Sequence, residues 1–389
     1  MRITRVATHV LVADDVNVGA TSSAQDAFVV ELETDAGITG IGESDVNPWI
    51  ARACIEARGT HTMGQSLADM LIGADPLDPT ALWQRLYDGS AMNGRRGALI
   101  HALGAVDIAL WDIAGKAAGV PVWRLLGEQA HDSVVPYASL LPPGPDFEMF
   151  KATMIAWALR AKDLGFRAVK IETLLSGPYR HGALDEPDER MTEIVADVRA
   201  AVGPGMTLMV DVGYAWDDVD RADGVLRDWA GLDVLFCETP LRSDDLDGYA
   251  RLHDRASGVA IAAGEWLATR FEFRELMDHG KVDVVQPDPG RVGGLTEALR
   301  VAQMAQDRNR TVVTHSWKTG ITIAAAVHLA VVSPACAFVE YLPKELTDSV
   351  LRRELTTREL PVDDGLIHAP EAPGIGVEID PDALRRFTA

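Results

Sequence analysis

"MTLMVDVGYAWDDVDRADGVLRDWAGLDVLFCETP", residues 206–240, holds the repeating unit of this chain. An apolar run ends in an acid, Asp211; an amphipathic stretch follows; a second apolar run then ends in another acid, Glu238. Short apolar runs bounded by turn signals read as buried strands, and the amphipathic stretch between them as a helix. The rhythm extends to both sides. With "VVPYAS", "FRAVKIE", "VAIAAGE", "VDVVQPD", "TVVTHS" and "CAFVEY" there are eight such runs, separated by helical stretches. Eight strand–helix repeats over roughly 220 residues predict a parallel (β/α)₈ barrel, whose usual length is about 250 residues. A doubly wound open sheet would need a Gly-rich phosphate turn after an early strand, and the sequence has none.

The barrel reading assigns residues 131–351 to one domain. Before it, "RITRVATHVLV" and "AFVVELETDAGITGIGES" read as strands, the second a hairpin turning at "DAG". From Ala51 to about Arg124 the pattern turns helical, with small residues packed into "GALIHALGAVDIALWDIAGKAAG". Residues 1–130 are therefore predicted to form an α+β domain. The tail, 352–389, returns to loop and short strand and is expected to complete that domain rather than extend the barrel.

The 389 residues are 47% hydrophobic and 24% charged, with a net charge of −22. So acidic a surface argues against nucleic-acid or anionic-membrane partners, which need a basic footprint. Three scattered cysteines, Cys54, Cys237 and Cys336, suit a reducing cytosol and make no disulfide or zinc framework. "MRITRVATHV" lacks a signal-peptide core, and no apolar run is read as approaching the ~20 residues that span a bilayer. The expectation is a cytoplasmic protein with a small-molecule substrate.

Function in such a barrel sits at the C-terminal ends of the strands. Those positions hold Lys170 and Glu172, Asp211, Glu238, Glu265, Asp288, His315 and Glu340. Asp211, Glu238 and Glu265 recur every 27 residues, which predicts three carboxylates at one height on neighbouring strands. Singly, each reads equally well as a helix cap. Together they would repel one another unless a cation neutralised them, and hard oxygen ligands select Mg²⁺, with Mn²⁺ possible. Asp288 and His315 are again 27 apart, so a carboxylate meets an imidazole and makes a proton-transfer pair. Lys170 and Glu172, two residues apart on one strand, point to the same side. Lys170 is expected either to hold a substrate carboxylate or to pair with a neighbouring acid. Glu340 is expected to donate a hydrogen bond if acidic neighbours raise its pKa, or to serve structure alone.

The order and spacing of "LGAVDIALWDIAGKAAGVPVWRLLG", "VKIE", "DVGYAW", "ETP", "GE", "QPDPGRVGG", "THSWKTGI" and "VEY" resemble the enolase superfamily, in its mandelate racemase-like subgroup. The resemblance implies a modified barrel under an N-terminal capping domain, Mg²⁺ on Asp211, Glu238 and Glu265, and an Asp288–His315 acid/base. It also implies that Glu340 bonds to the substrate and that the protein is a homo-oligomer. Its chemistry would be removal of a proton α to a carboxylate. Three positions depart from the family pattern: Glu172 stands where a second lysine is usual, Gly213 where an asparagine is, and Thr239 where a second glutamate is. Racemisation needs two bases, so Glu172 demotes it. Dehydration of an acid sugar ranks first, cycloisomerisation of a sugar-acid lactone or anhydro sugar acid second, racemisation or epimerisation third. A decayed barrel acting as a binding protein is the non-enzymatic rival. By resemblance, segments 14–25 and 45–62 close over the barrel mouth. Arg52 and His61 in the second of these segments, and Arg180 and His181 in the loop after the second barrel strand, are side chains that could touch substrate or be ordinary surface residues.

Overall fold

The structure is a computed structural model describing residues 1–182 and 184–389. Strands β1 (Ile3–Val12), β2 (Asp26–Thr34) and β3 (Thr39–Ser44) form an antiparallel sheet in that order. The helix Ala98–Ala118 lies across it. Gly40 and Gly42 make that approach possible: a Cβ on Gly42 would stand 1.9 Å from the Ala105 carbonyl oxygen, and one on Gly40 2.1 Å from that of Ala109. The small residues of 97–119 therefore serve a helix pressed backbone-first onto a sheet. At 21 residues and mean hydropathy 1.5 this helix is long and apolar enough to cross a membrane, which corrects the expectation that no run is. Its apolar stretch is 89% buried inside the protein, and its apolar surface is matched by the sheet and the barrel.

The barrel follows as β4 (Ser133–Leu140), β5 (Ala168–Glu172), β6 (Thr207–Asp211), β7 (Val234–Glu238), β8 (Ala260–Ala263), β9 (Val284–Val285), β10 (Thr311–Thr314) and β11 (Cys336–Tyr341). Each pairs in parallel with the next, and β11 pairs with β4, Glu340 opposite Tyr137, to close the ring. Inside the ring one apolar cluster takes a residue from each strand: Tyr137, Ala168, Met209, Phe236, Ala262, Val284, Val313 and Phe338. The interior is filled with side chains, leaving the C-terminal rim as the place for a cavity.

The tail divides its contacts. Helix Pro381–Phe387 packs on β1, and the Ala389 amide donates to the Val10 carbonyl at 2.9 Å. Ile367–His368, however, pairs antiparallel with the first residues of β4, so part of the tail joins the barrel sheet. The two halves meet along a polar seam. Thr296 donates to Asp107 through its amide (2.8 Å) and its hydroxyl (2.7 Å), Ser44 Oγ donates to the Gly290 carbonyl (2.7 Å), and Trp83 Nε1 to that of Gly293 (2.7 Å).

Candidate active site

Strand register sets the first row of the site. Glu172 lies opposite Asp211 and Asp211 opposite Glu238, so three acids stand abreast on β5, β6 and β7. Glu265 does not complete that row as the spacing suggested. Glu238 pairs with Ala262, and Glu265 sits three residues further on, past the end of β8, carried there by Gly264 at φ +126°. The turn swings its carboxylate toward His315, whose Nε2 is 3.0 Å from Glu265 Oε2.

His315 follows β10 and is almost fully buried. Its Nδ1 meets Asp288 Oδ2 at 2.6 Å, and its Nε2 is 3.7 Å from Glu340 Oε2. Asp288 does two things at once: Oδ1 accepts the Gly290 amide at 2.6 Å and caps the helix Pro289–Val292, while Oδ2 holds the imidazole. Burial disfavours the imidazolium, but the charge of Glu340 and the bonds to Asp288 and Glu265 prevail, and the pKa of His315 ends well above its ordinary value.

Lys170, 1% exposed, is clamped between Glu238 Oε2 (2.9 Å) and Glu340 Oε1 (2.7 Å). The ion-pair alternative for Lys170 is the one the structure displays. For Glu340 the condition attached to a donor role is not met. Burial raises its pKa, yet Lys170 and His315 outweigh burial and hold it below the ordinary value. It is thus an ionised acceptor, taking the Ser316 amide on Oε2 at 2.7 Å, and not a donor. Glu172 goes the other way: burial, then the charge of Asp211, raise it well above the usual carboxylate range. Its nearest partner is the Ser139 hydroxyl, 3.4 Å from Oε1.

A cavity of about 380 Å³ opens on this cluster, lined by Lys170, Glu172, Asp211, Glu265 and His315. Glu238, Asp288 and Glu340 stand behind its wall, each at most 1% exposed. Tyr179, Tyr214 and Trp266 form one rim, with ring centroids 4.3 Å apart for Tyr214–Trp266 and 5.2 Å for Tyr179–Trp266. Ala20–Ser23 of the segment between β1 and β2 close the top, but neither Arg52 nor His61 lines the cavity. Arg180 does line it, whereas His181 faces a second cavity alongside.

Several supporting residues were given no role in the sequence reading. The Thr239 hydroxyl donates to Asp211 Oδ1 at 2.6 Å, beside the Gly213 amide at 2.8 Å. Tyr214 OH donates to Glu265 Oε1 at 2.8 Å. Arg291 joins Asp45 to Glu265, and Lys318 joins Asp45 (3.0 Å) to Asp26 (2.8 Å). All four lie within quoted motifs, and only contact geometry assigns them work.

Asp45, Asp288 and His315 place donor atoms within 4.8 Å of one another. Arg291 and Lys318 already neutralise Asp45 there, and Asp288 and His315 are bonded to each other, so this is a charge network. The acid set fits a cation better. Glu238 Oε1 is buried with no hydrogen-bond partner among the described residues. Burial raises Asp211, and it raises Glu238 to about 8 despite Lys170. Carboxylates facing each other across adjacent strands, with one Glu238 oxygen unpartnered, are the hard oxygen donors that Mg²⁺ or Mn²⁺ selects.

A closed parallel barrel with acids and a histidine–aspartate pair on its C-terminal rim, beneath an α+β cap, defines a barrel enzyme. Residues 3–127 match the family "Mandelate racemase / muconate lactonizing enzyme, N-terminal domain", and residues 153–383 match "Enolase C-terminal domain-like". The chain belongs to the enolase superfamily, in the mandelate racemase-like subgroup. It is 32% identical to D-galactarolactone cycloisomerase of Agrobacterium fabrum over 100% of this chain and 99% of that one. It is 30% identical to D-galactonate dehydratase of Pectobacterium atrosepticum over 91% and 89%. A crystal structure of a racemase from Streptomyces coelicolor A3(2) with bound magnesium superposes with a TM-score of 0.83 at 28% identity, covering 100% of both chains.

Proposed function

We propose that this enzyme removes the α-proton of a sugar acid and expels an oxygen from the β-carbon, most simply as a sugar-acid dehydratase. The observation that carries the reading is the His315–Asp288 pair, 2.6 Å apart, opening on the same cavity as the unlike acid Glu172. Round the closed sheet, β10 and β5 are separated by β11 and β4, so the two groups address a bound substrate from different sides. Elimination needs one base and one acid, whereas racemisation needs two bases.

Asp211, Glu238 and Glu265 would hold the divalent ion. Bound there, Mg²⁺ supplies fixed positive charge against the negative charge that builds on the substrate carboxylate as its α-proton leaves. His315 takes that proton on a neutral Nε2, with Asp288 fixing the ring through Nδ1. That neutral state is favoured once positive charge among the acids offsets the carboxylates of Glu265 and Glu340 that otherwise hold it protonated. Glu172, kept protonated by burial, gives its proton to the departing hydroxyl. Lys170 holds Glu238 and Glu340 in place and offsets their charge. Asn at 315 should abolish exchange of the α-hydrogen with deuterated solvent; retention of full turnover by His315→Asn would refute the assignment.

Cycloisomerisation is the second reading, favoured by the end-to-end match to a galactarolactone cycloisomerase. It shares the proton abstraction and the β-oxygen leaving group. Mass analysis separates the two: a dehydratase product is a 2-keto-3-deoxy acid lighter by one water, and a cycloisomerase product keeps the mass of its substrate.

A further inference from the structure

A second cavity, about 450 Å³, adjoins the one that holds the acids. The two share Gly19, Ala20, Ser22, Leu141 and Trp317 in their walls, so Trp317 and the β1–β2 segment form the partition. That segment is pinned on both sides of the partition. The Thr21 hydroxyl donates to the Arg180 carbonyl at 3.2 Å, and Trp317 Nε1 donates to Ser22 Oγ at 3.0 Å. The floor comes from loops beyond β4, β5, β10 and β11, all at the functional end of the barrel. The space therefore continues the active site, and it is of ligand size in its own right.

Its lining defines what it could hold. Asp15, Asn17, His181 and Asp348 offer hydrogen-bonding groups, and Trp317 and Leu346 offer apolar faces. No lysine or arginine lines it among the described residues, and two carboxylates do. A second substrate carboxylate would be repelled there, whereas a neutral ring with hydroxyls on its edge and C–H groups on its faces would be matched. We infer that this chamber binds a neutral glycosyl group, and that the substrate class includes sugar acids bearing one: an aldonic acid end beneath Trp317 and a second sugar ring beyond it. This rests on the sugar-acid reading above and extends it.

Calorimetry in saturating Mg²⁺ tests it, with gluconate against three glycosylated gluconates: lactobionate, maltobionate and melibionate. At least one of the three should bind tenfold or more tightly than gluconate. Thr347→Trp, which puts bulk into the second chamber alone, should shrink that ratio at least tenfold. If thermal melts show Thr347→Trp misfolded, Asp348→Trp serves, because Asp348 is exposed. The inference is overturned if all three glycosylated acids bind no better than gluconate, or if their advantage survives in the filled variant. Tight binding of a glycosylated acid without any turnover would support the chamber while defeating the proposed reaction. Turnover of simple aldonic acids with rejection of every glycosylated one would defeat the chamber alone.

Discussion

Thr239 and Tyr214 carry positive φ values, +50° and +61°, in a region that side-chain-bearing residues seldom occupy. Such a conformation costs on the order of 1–3 kcal/mol each and persists where the surroundings impose it. Here both residues end up donating to acids of the proposed cation site, Thr239 to Asp211 and Tyr214 to Glu265. Groups that orient ligands in this way typically govern affinity by 10–100-fold. Thr239→Val, which keeps the shape and removes the hydroxyl, is therefore expected to weaken Mg²⁺ binding by about that factor. Thr239→Ser should largely restore it. Titration calorimetry with Mg²⁺ alone reads both; equal affinities in the valine and serine variants would show that the hydroxyl is idle.

At the scale of elements, two joints decide whether the site assembles. The first is the contact between β3 and the helix Ala98–Ala118, where neighbouring backbones leave no space for a Cβ at Gly42. Gly42→Ala must push the helix from the sheet, and overpacking of this kind costs about 1–3 kcal/mol. A lowered melting temperature is expected, with Ala105 unable to yield because its backbone oxygen is the obstacle. The second joint is the helix Pro289–Val292, capped by the same carboxylate that holds His315. Asp288→Asn can keep the cap, since an amide oxygen accepts the Gly290 N–H equally well, but it removes the negative charge beside the imidazole. The variant should melt near the parent temperature while turnover falls by about 10²-fold or more. Loss of fold together with activity would instead make Asp288 a purely structural cap.

Across the whole molecule, the seam between cap and barrel holds a titrating group of its own. Glu43, at the end of β3, accepts from the Thr319 hydroxyl (2.8 Å), the Thr319 amide (3.2 Å) and the Thr322 hydroxyl (3.1 Å) at the start of helix Gly320–Val331. Burial outweighs these bonds and raises its pKa from 4.5 to about 7. Because the folded form holds its proton more tightly than the unfolded chain, the stability from this group is full below about pH 4.5. It declines as pH rises toward about 7 and is absent above it. The span is on the order of 3 kcal/mol. Glu43→Gln removes the titration, so its melting temperature relative to the parent should rise between pH 5 and pH 8. A constant difference across that range would mean Glu43 is ionised throughout. Further along the seam, Arg291 and Lys318 tie Asp45 of the cap to barrel loops, and Lys318 also donates to the Ser23 carbonyl of the β1–β2 segment over the cavity.

The sequence by itself determined the barrel and its cap, and it marked the acids and the histidine near the strand ends. Short apolar runs alternating with amphipathic stretches are local, and so is the presence of an acid near the end of a run. Only the tertiary structure decided what each group does. Glu265 stands past its strand because Gly264 turns the chain there. Lys170 is spent between two acids, Glu340 is an ionised acceptor, and Thr239 and Tyr214 orient carboxylates from strained turns. Arg52 and His61 lie in the segment expected to cover the mouth, yet neither reaches it. The reason is physical: a strand's position and an acid's presence are written along one stretch of chain. Charge state, hydrogen-bond partner and cavity shape arise between stretches hundreds of residues apart, and burial there shifts proton affinities in ways no spacing records.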